Sequence, residues 1–196
     1  MVIVDIEANG LSPLKNSIVS IGALDFENPT NQFYQECQMW QESLLDYEAM
    51  GVCGFSLADI TDTKKPRLEE IFLNFLEWIA PLEDKIISGE NSSFDRDFLR
   101  ETAKRCHIPW TFGHRTIDLH SVSFAHAIRR HKISLTKEGT SALNLDATLA
   151  YCGLPHEPHP HNALTGAKLE AEAFSRLLYA KNLLKEFSNF SIPEYF

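Results

Sequence analysis

The sequence predicts an α/β fold: a five-stranded mixed sheet, its first three strands antiparallel, flanked by helices. Three observations predict it. From Val2 to Trp40, β-branched and aromatic runs alternate with turn residues, the pattern of strands joined by short connections. From Leu68 onward, apolar residues recur at helical spacing. Beyond that helix, short apolar runs alternate with helical stretches. Strands first, then strand–helix alternation, imply a mixed sheet covered by helices.

Taken in order, Val2-Ile3-Val4 with Ile6 is a short apolar run that suits a central strand buried on both faces. Asn9-Gly10 and Ser12-Pro13 break it. Ser17 to Phe26 and Gln32 to Trp40 read as two further strands separated by Asn28-Pro29-Thr30-Asn31, and such short connections favour an antiparallel meander. Leu68, Ile71, Phe72, Phe75, Leu76 and Ile79 recur at helical spacing, and Pro81 stops that helix. Lys85 to Ser88 reads as a short strand, and Ser93 or Asp95 as the cap of a helix through Arg105. Thr116 to Leu119 ends a fifth strand, followed by a helix towards Arg130. Leu143 to Tyr151 reads as a short helix closed by Gly153 and Pro155, and Ala163 to about Phe187 as one long C-terminal helix. With no internal repeat, low-complexity stretch or Gly/Ser linker, residues 1–196 read as one domain.

A chain of 196 residues can bury a full core, and 44% hydrophobic against 23% charged residues suits a soluble globular protein. No apolar run approaches the roughly 20 residues of a membrane span, so no membrane partner is expected. Met1 to Gly10 has neither a basic start nor a continuous apolar core, so it does not read as a signal peptide, and a cytoplasmic location is expected. Cys37, Cys53, Cys106 and Cys152 are scattered without a CxxC pair and read as reduced, mostly buried thiols rather than a zinc site. The formal net charge of -9 argues against a protein that coats nucleic acid nonspecifically. The charge is uneven: between Arg96 and Lys137 nine Lys/Arg against three acids give +6, leaving -15 for the rest. Such a basic middle can track a phosphate backbone or form a solvated helix face. Arg129-Arg130-His131-Lys132 is its densest run, open to strand or duplex contacts or to a solvated loop.

Three patterns carry chemistry. Asp5-Ile6-Glu7 puts two carboxylates on one face of a strand, with Cα atoms about 7 Å apart. Their repulsion and desolvation are costly unless a cation neutralises them, and oxygen ligands on a rigid strand suit Mg²⁺ or Mn²⁺. Alone, the pair also reads as two solvated acids at a strand end. Asn91-Ser-Ser-Phe94-Asp95 lies between an apolar strand and a helix, where an Asp is ordinarily a cap. His156-Glu-Pro-His-Pro-His161 is a Pro-rich loop before a helix. A histidine there can be a general base, because its pKa lies near 6.5. His161, next to the helix start, is the candidate; His156 and His159 read as ordinary loop residues.

Together these patterns resemble the DEDDh family of 3′–5′ exonucleases, DnaQ-like members of the RNase H-like superfamily. The family's Asp-x-Glu is matched by Asp5 and Glu7, its Asn-x-x-Phe-Asp by Asn91, Phe94 and Asp95, and its His-x-Ala-x-x-Asp by His161, Ala163 and Gly166. The resemblance covers about residues 1–180, with the motifs in order. It implies an RNase H-like sheet and two divalent cations, Mg²⁺ or Mn²⁺, roughly 3.5–4 Å apart. Asp5 would bridge them, Glu7 would hold the first and Asp95 would support the second. His161 would take the proton from the attacking water, and a nucleoside monophosphate would leave the 3′ end of single-stranded DNA or RNA. Ala8 would offer backbone contacts to the terminal nucleotide, next to Asn91, while Leu11 and Phe94 would wedge or stack near the last bases. The resemblance also admits structured or duplex ends as substrates and a homodimer as the assembly.

Gly166 departs from the family, which has an aspartate ligand there. Glycine offers no ligand atom, and inside a helix it costs about 1 kcal/mol relative to alanine. The substitution implies an impaired enzyme. The alternative is a catalytically inactive protein that binds 3′ ends. Three origins stay open: an inactivating change made so that a substrate survives, a naturally degenerate site, or a replacement carboxylate from Glu170, one turn further along. Glu170 otherwise reads as an ordinary exposed helix acid.

Overall fold

A computed structural model describes residues 1–132 and 135–196. Its sheet has five strands in the order β3-β2-β1-β4-β5, with β1 (Val2–Ala8) in the middle. β2 (Ile18–Asp25) and β3 (Gln32–Glu36) complete the antiparallel meander. β4 (Ile87–Gly89) and β5 (Ile117–Asp118) join parallel to β1 and to each other. The helices are α1 (Tyr47–Cys53), α2 (Leu57–Ile60), α3 (Leu68–Ile79), α4 (Ser92–Arg105), α5 (Leu119–Arg129), α6 (Leu145–Tyr151) and α7 (Ala163–Tyr179). Among the described residues, no helix is long and apolar enough to cross a membrane.

Alternation along β1 separates two layers. Val2, Val4, Ile6 and Ala8 enter the core with Ile71, Phe72 and Phe75 of α3 and Phe98 and Leu99 of α4. Ile3 enters the other core, with Leu169, Ala173 and Phe174 of α7. Asp5 and Glu7 continue the Ile3 face, so their carboxylates stand beneath α7. That helix lies very close to the sheet at Gly22, the antiparallel partner of Asp5: any Cβ there would strike the Ala163 and Leu164 backbone. Pairing with β4 covers only Val2 and Ile3. The Asp5–Glu7 half of β1 therefore has one edge free of β4, in the crevice where a mixed sheet commonly places a ligand.

Several boundaries differ from expectation. β3 stops at Glu36, because Gln38 and Trp40 turn their amides to the Pro66 carbonyl and the Ser17 hydroxyl (2.9 and 2.7 Å). β4 begins two residues later than Lys85. α1 and α2 are too short to show a helical repeat, and each starts at a polar cap, Asp46 or Ser56. Neither Ser93 nor Asp95 caps α4; its first residue follows Asn91, whose φ of 50° makes the turn. α6 begins at Leu145 behind an Asn144 cap.

The C-terminal helix ends at Tyr179, well short of Phe187, because Ala180 turns left-handed at φ 52°. The tail then folds back over fully buried Arg176. Its Nε bonds Glu172 Oε1 at 3.0 Å, and its other nitrogens reach the Cys152 and Phe190 carbonyls at 3.0 and 2.9 Å. Glu172 Oε2 in turn accepts from the Leu183 and Leu184 amides at 2.8 and 2.9 Å.

Candidate active site

β1 supplies Asp5 and Glu7, and α4 brings Asp95 to them. The Asp95 Oδ1 accepts the Ile6 amide at 3.1 Å, satisfying a donor on the β1 edge that β4 leaves uncovered. This bond explains why Asp95 faces inward, 3% exposed, rather than capping its own helix. α7 contributes Gly166 and Glu170, and the loop before it contributes Glu157 and His161. Asp5, Glu7, Glu157, His161 and Glu170 line one open cleft of about 350 Å³, with Glu90 at its β4 end.

The loop is pinned from several sides. Asp146 of α6 accepts the Glu157 amide at 3.2 Å and pairs with His156 at 3.3 Å. The His161 amide donates to the Val52 carbonyl of α1 at 3.1 Å. Asn162 caps α7 by accepting the Leu164 and Thr165 amides, and its side chain donates to the Tyr34 hydroxyl of β3 at 2.9 Å. His161 Nδ1 lies 3.5 Å from Glu157 Oε2, and the His159 ring stacks on the His161 ring with centroids 4.6 Å apart.

Electrostatically the cleft is a concentration of acid. Burial, then the neighbouring carboxylates of Glu170, Asp95, Glu7 and Glu157, push Asp5 well above the usual carboxylate range. Glu7 rises to about 8, through burial and then Glu157 and Asp95. Burial raises Asp95 to about 7 against the opposing Ile6 hydrogen bond, and raises Glu157 to about 7 with help from Asp146. Glu170 is raised too, by burial and then by Asp95. Burial and then His159 hold His161 below its ordinary value. Among the described residues, none of these acids makes an ion pair with Lys or Arg. Glu157 Oε1 and Glu170 Oε2 are buried without a hydrogen-bond partner. Unpaired buried carboxylate oxygens are costly unless they are protonated or a cation neutralises them. Ligand atoms of Glu7, Glu157 and His161 already lie within 4.8 Å of one another.

The expected set of Asp5, Glu7, Asp95, His161 and Gly166 is thus brought to one place. Ala8 is buried just beyond Glu7, and Leu11 stands 74% exposed on the following loop. Asn91 is exposed at the start of α4, and Phe94 is half-buried, its ring 4.8 Å from that of Phe98. One expectation is corrected. Glu170 is no exposed helix acid: it is 3% exposed and faces the cleft, because the side of α7 that carries it packs on the sheet. Arg129 lines a different cavity, with Leu177 and Leu178, about 16 Å further along α7 than Gly166. Glu157 was missed, since one acid between prolines and histidines carries no spacing signal.

The fold is RNase H-like. A family profile described as an exonuclease (RNase_T) matches residues 2–174, so the chain belongs to the exonuclease family, in its DEDDh branch with glycine at the last motif position. It is 28% identical over 176 residues to the 3′-5′ DNA exonuclease Cap18 of Escherichia coli, covering 87% of each chain. E. coli Exonuclease I in complex with a 5cy-dA13 oligonucleotide shares the fold, with a TM-score of 0.70 at 17% identity over 92% of this chain and 40% of that one. Cell-death related nuclease 4 (CRN-4) does likewise, with a TM-score of 0.71 at 17% identity over 92% of this chain and 64% of that one. The chain therefore spans less than half of Exonuclease I.

Proposed function

We propose that the chain is a divalent-metal-dependent 3′–5′ exonuclease that shortens single-stranded nucleic acid and releases nucleoside monophosphates. The observation that carries this reading is the cluster of buried acids beside His161, unpaired with any Lys or Arg among the described residues. Asp5, Glu7 and Asp95 would hold a pair of cations, Mg²⁺ or Mn²⁺, whose size and charge suit carboxylate oxygens. Bound there, such cations supply Lewis-acid stabilisation of the phosphate undergoing attack and a lower pKa for the attacking water. His161, kept below its ordinary pKa, is neutral at neutral pH and able to take the water's proton. Leu11 offers an exposed apolar surface for the last base, with Phe94, Asn91 and the Ala8 backbone around the end. The likeness to Cap18, named a DNA exonuclease, supports DNA over RNA. The four free cysteines suit a cytoplasmic setting.

The test is an assay of 5′-labelled single-stranded DNA and RNA with Mg²⁺ or Mn²⁺, against EDTA. The label should move down a ladder from full length, faster on DNA, and EDTA should stop it. No shortening of either nucleic acid, or shortening indifferent to EDTA, contradicts the proposal. Gly166 favours a second reading, a protein that holds 3′ ends without cutting. It takes one oxygen from the family's ligand set, and on that count alone turnover is slower. Strand retention without shortening, with every cation tried, would establish the second reading over the first.

A further inference from the structure

Glycine at 166 leaves room under α7, and that room is not empty. A Cβ built on Gly166 would collide with Asp5 Oδ2 and stand 3.1 Å from Glu157 Oε1. Two carboxylates therefore fill the space that a side chain at 166 would take. Glu157 Oε1 has no hydrogen-bond partner although its residue is only 8% exposed. The other oxygen of the same carboxylate faces His161 Nδ1 at 3.5 Å. The Glu157 amide donates to Asp146, which holds the backbone from which this side chain extends. Glu170 of α7 is another buried acid with an unpartnered oxygen, but that oxygen points to the β4 end of the cleft, lying 2.9 Å from where a Cβ of Gly89 would be.

We propose that Glu157 supplies the carboxylate that position 166 lacks, so that the first cation is held by Asp5, Glu7 and Glu157. Ligand duty has moved from the first turn of α7 to the loop that precedes it. The inference rests on the metal-dependent reading above. It makes Gly166 a matched partner of two carboxylates: the glycine leaves space that Asp5 enters and Glu157 borders. It also answers the question left by the motif, since an enzyme with this exchange need not be impaired.

The test uses Mn²⁺ alone, without nucleic acid. EDTA-stripped protein at pH 8 is titrated calorimetrically and melted with and without Mn²⁺, for the wild type, Glu7→Gln, Glu157→Gln and Glu170→Gln. Glu157→Gln should weaken Mn²⁺ binding tenfold or more and remove most of the Mn²⁺-induced rise in melting temperature, as Glu7→Gln does. Glu170→Gln should weaken binding several-fold less. Without metal, Glu157→Gln should melt above the wild type, because one member of a mutually repelling cluster is gone. Glu157→Ala should weaken Mn²⁺ binding to a similar extent as Glu157→Gln. Wild-type Mn²⁺ affinity in Glu157→Gln overturns the inference and leaves Glu157 as a residue that merely orients His161. Failure of both Glu157 variants to fold overturns it as well. These failures leave the nuclease reading standing as long as the wild type binds Mn²⁺ and Glu7→Gln does not. Absence of Mn²⁺ binding by the wild type would bring down both.

Discussion

At position 166 a side chain would first meet the Asp5 carboxylate. Even the single methyl of Gly166→Ala would press on the Asp5 carboxylate and crowd Glu157. Asp5 must then rotate, and overpacking of this kind typically costs 1–3 kcal/mol. Set against the roughly 1 kcal/mol that alanine gains over glycine in a helix, we expect Gly166→Ala to lose about 0–2 kcal/mol by urea denaturation, and to lose Mn²⁺ affinity although no ligand atom has been removed. Unchanged Mn²⁺ affinity would show that Asp5 has room to spare. The raised acids predict a pH effect with a definite sign. Glu7 rises from 4.5 to about 8, while Asp95 and Glu157 rise to about 7 from 3.8 and 4.5. The fold thus holds protons that the unfolded chain releases, so stability is full below the unfolded values and is lost as pH climbs towards the folded ones. The metal-free protein should melt at a lower temperature at pH 8 than at pH 5, and Mn²⁺ should raise the melting temperature most at pH 8. A metal-free melting temperature that rises over that interval contradicts the burial of these acids.

At the scale of elements, the site depends on how β1, α4 and α7 meet. Asn162 links α7 to β3, capping the helix while donating to Tyr34, and it adjoins His161. Asn162→Ala should cost about 1 kcal/mol, the usual value of a lost cap, and should lower the rate of strand shortening while leaving Mn²⁺ affinity unchanged. A loss of Mn²⁺ affinity would show that the cap positions more than the histidine. Much of this level was legible. The apolar run Val2-Ile3-Val4 with Ile6 marked a central strand buried on both faces, strand alternation placed Asp5 with Glu7, and the apolar spacing of Leu68–Ile79 marked α3. Asp95 was found but misread locally. A cap depends on neighbours in sequence, whereas the bond to Ile6 joins residues 89 positions apart. Glu157 could not be read at all, because its meaning comes from the space above Gly166, which exists only once α7 lies on β2.

Across the whole molecule, charge is disposed by sign. Acid gathers in the cleft, while several residues of the basic middle have other duties. Arg96 and Arg100 pair with Asp97, and Arg105 stacks 4.1 Å over the Trp40 ring. The length of the last helix was overestimated for a reason at this scale. Its periodicity continues, but the tail is recaptured by Arg176 and Glu172, a buried pair that sequence spacing alone shows as an exposed helix pair. Removing one partner leaves the other charge buried and alone, so Arg176→Met should destabilise the protein by about 3–5 kcal/mol. Urea denaturation would measure it, and a change within experimental error would mean the tail is held by its apolar contacts instead.

The most direct measurement is the position of the cation itself, by anomalous diffraction from crystals grown with Mn²⁺. The account predicts a peak within about 2.2 Å of carboxylate oxygens from Asp5, Glu7 and Glu157, under Gly166. A peak elsewhere on the molecule, or none in the cleft at saturating Mn²⁺, would contradict it.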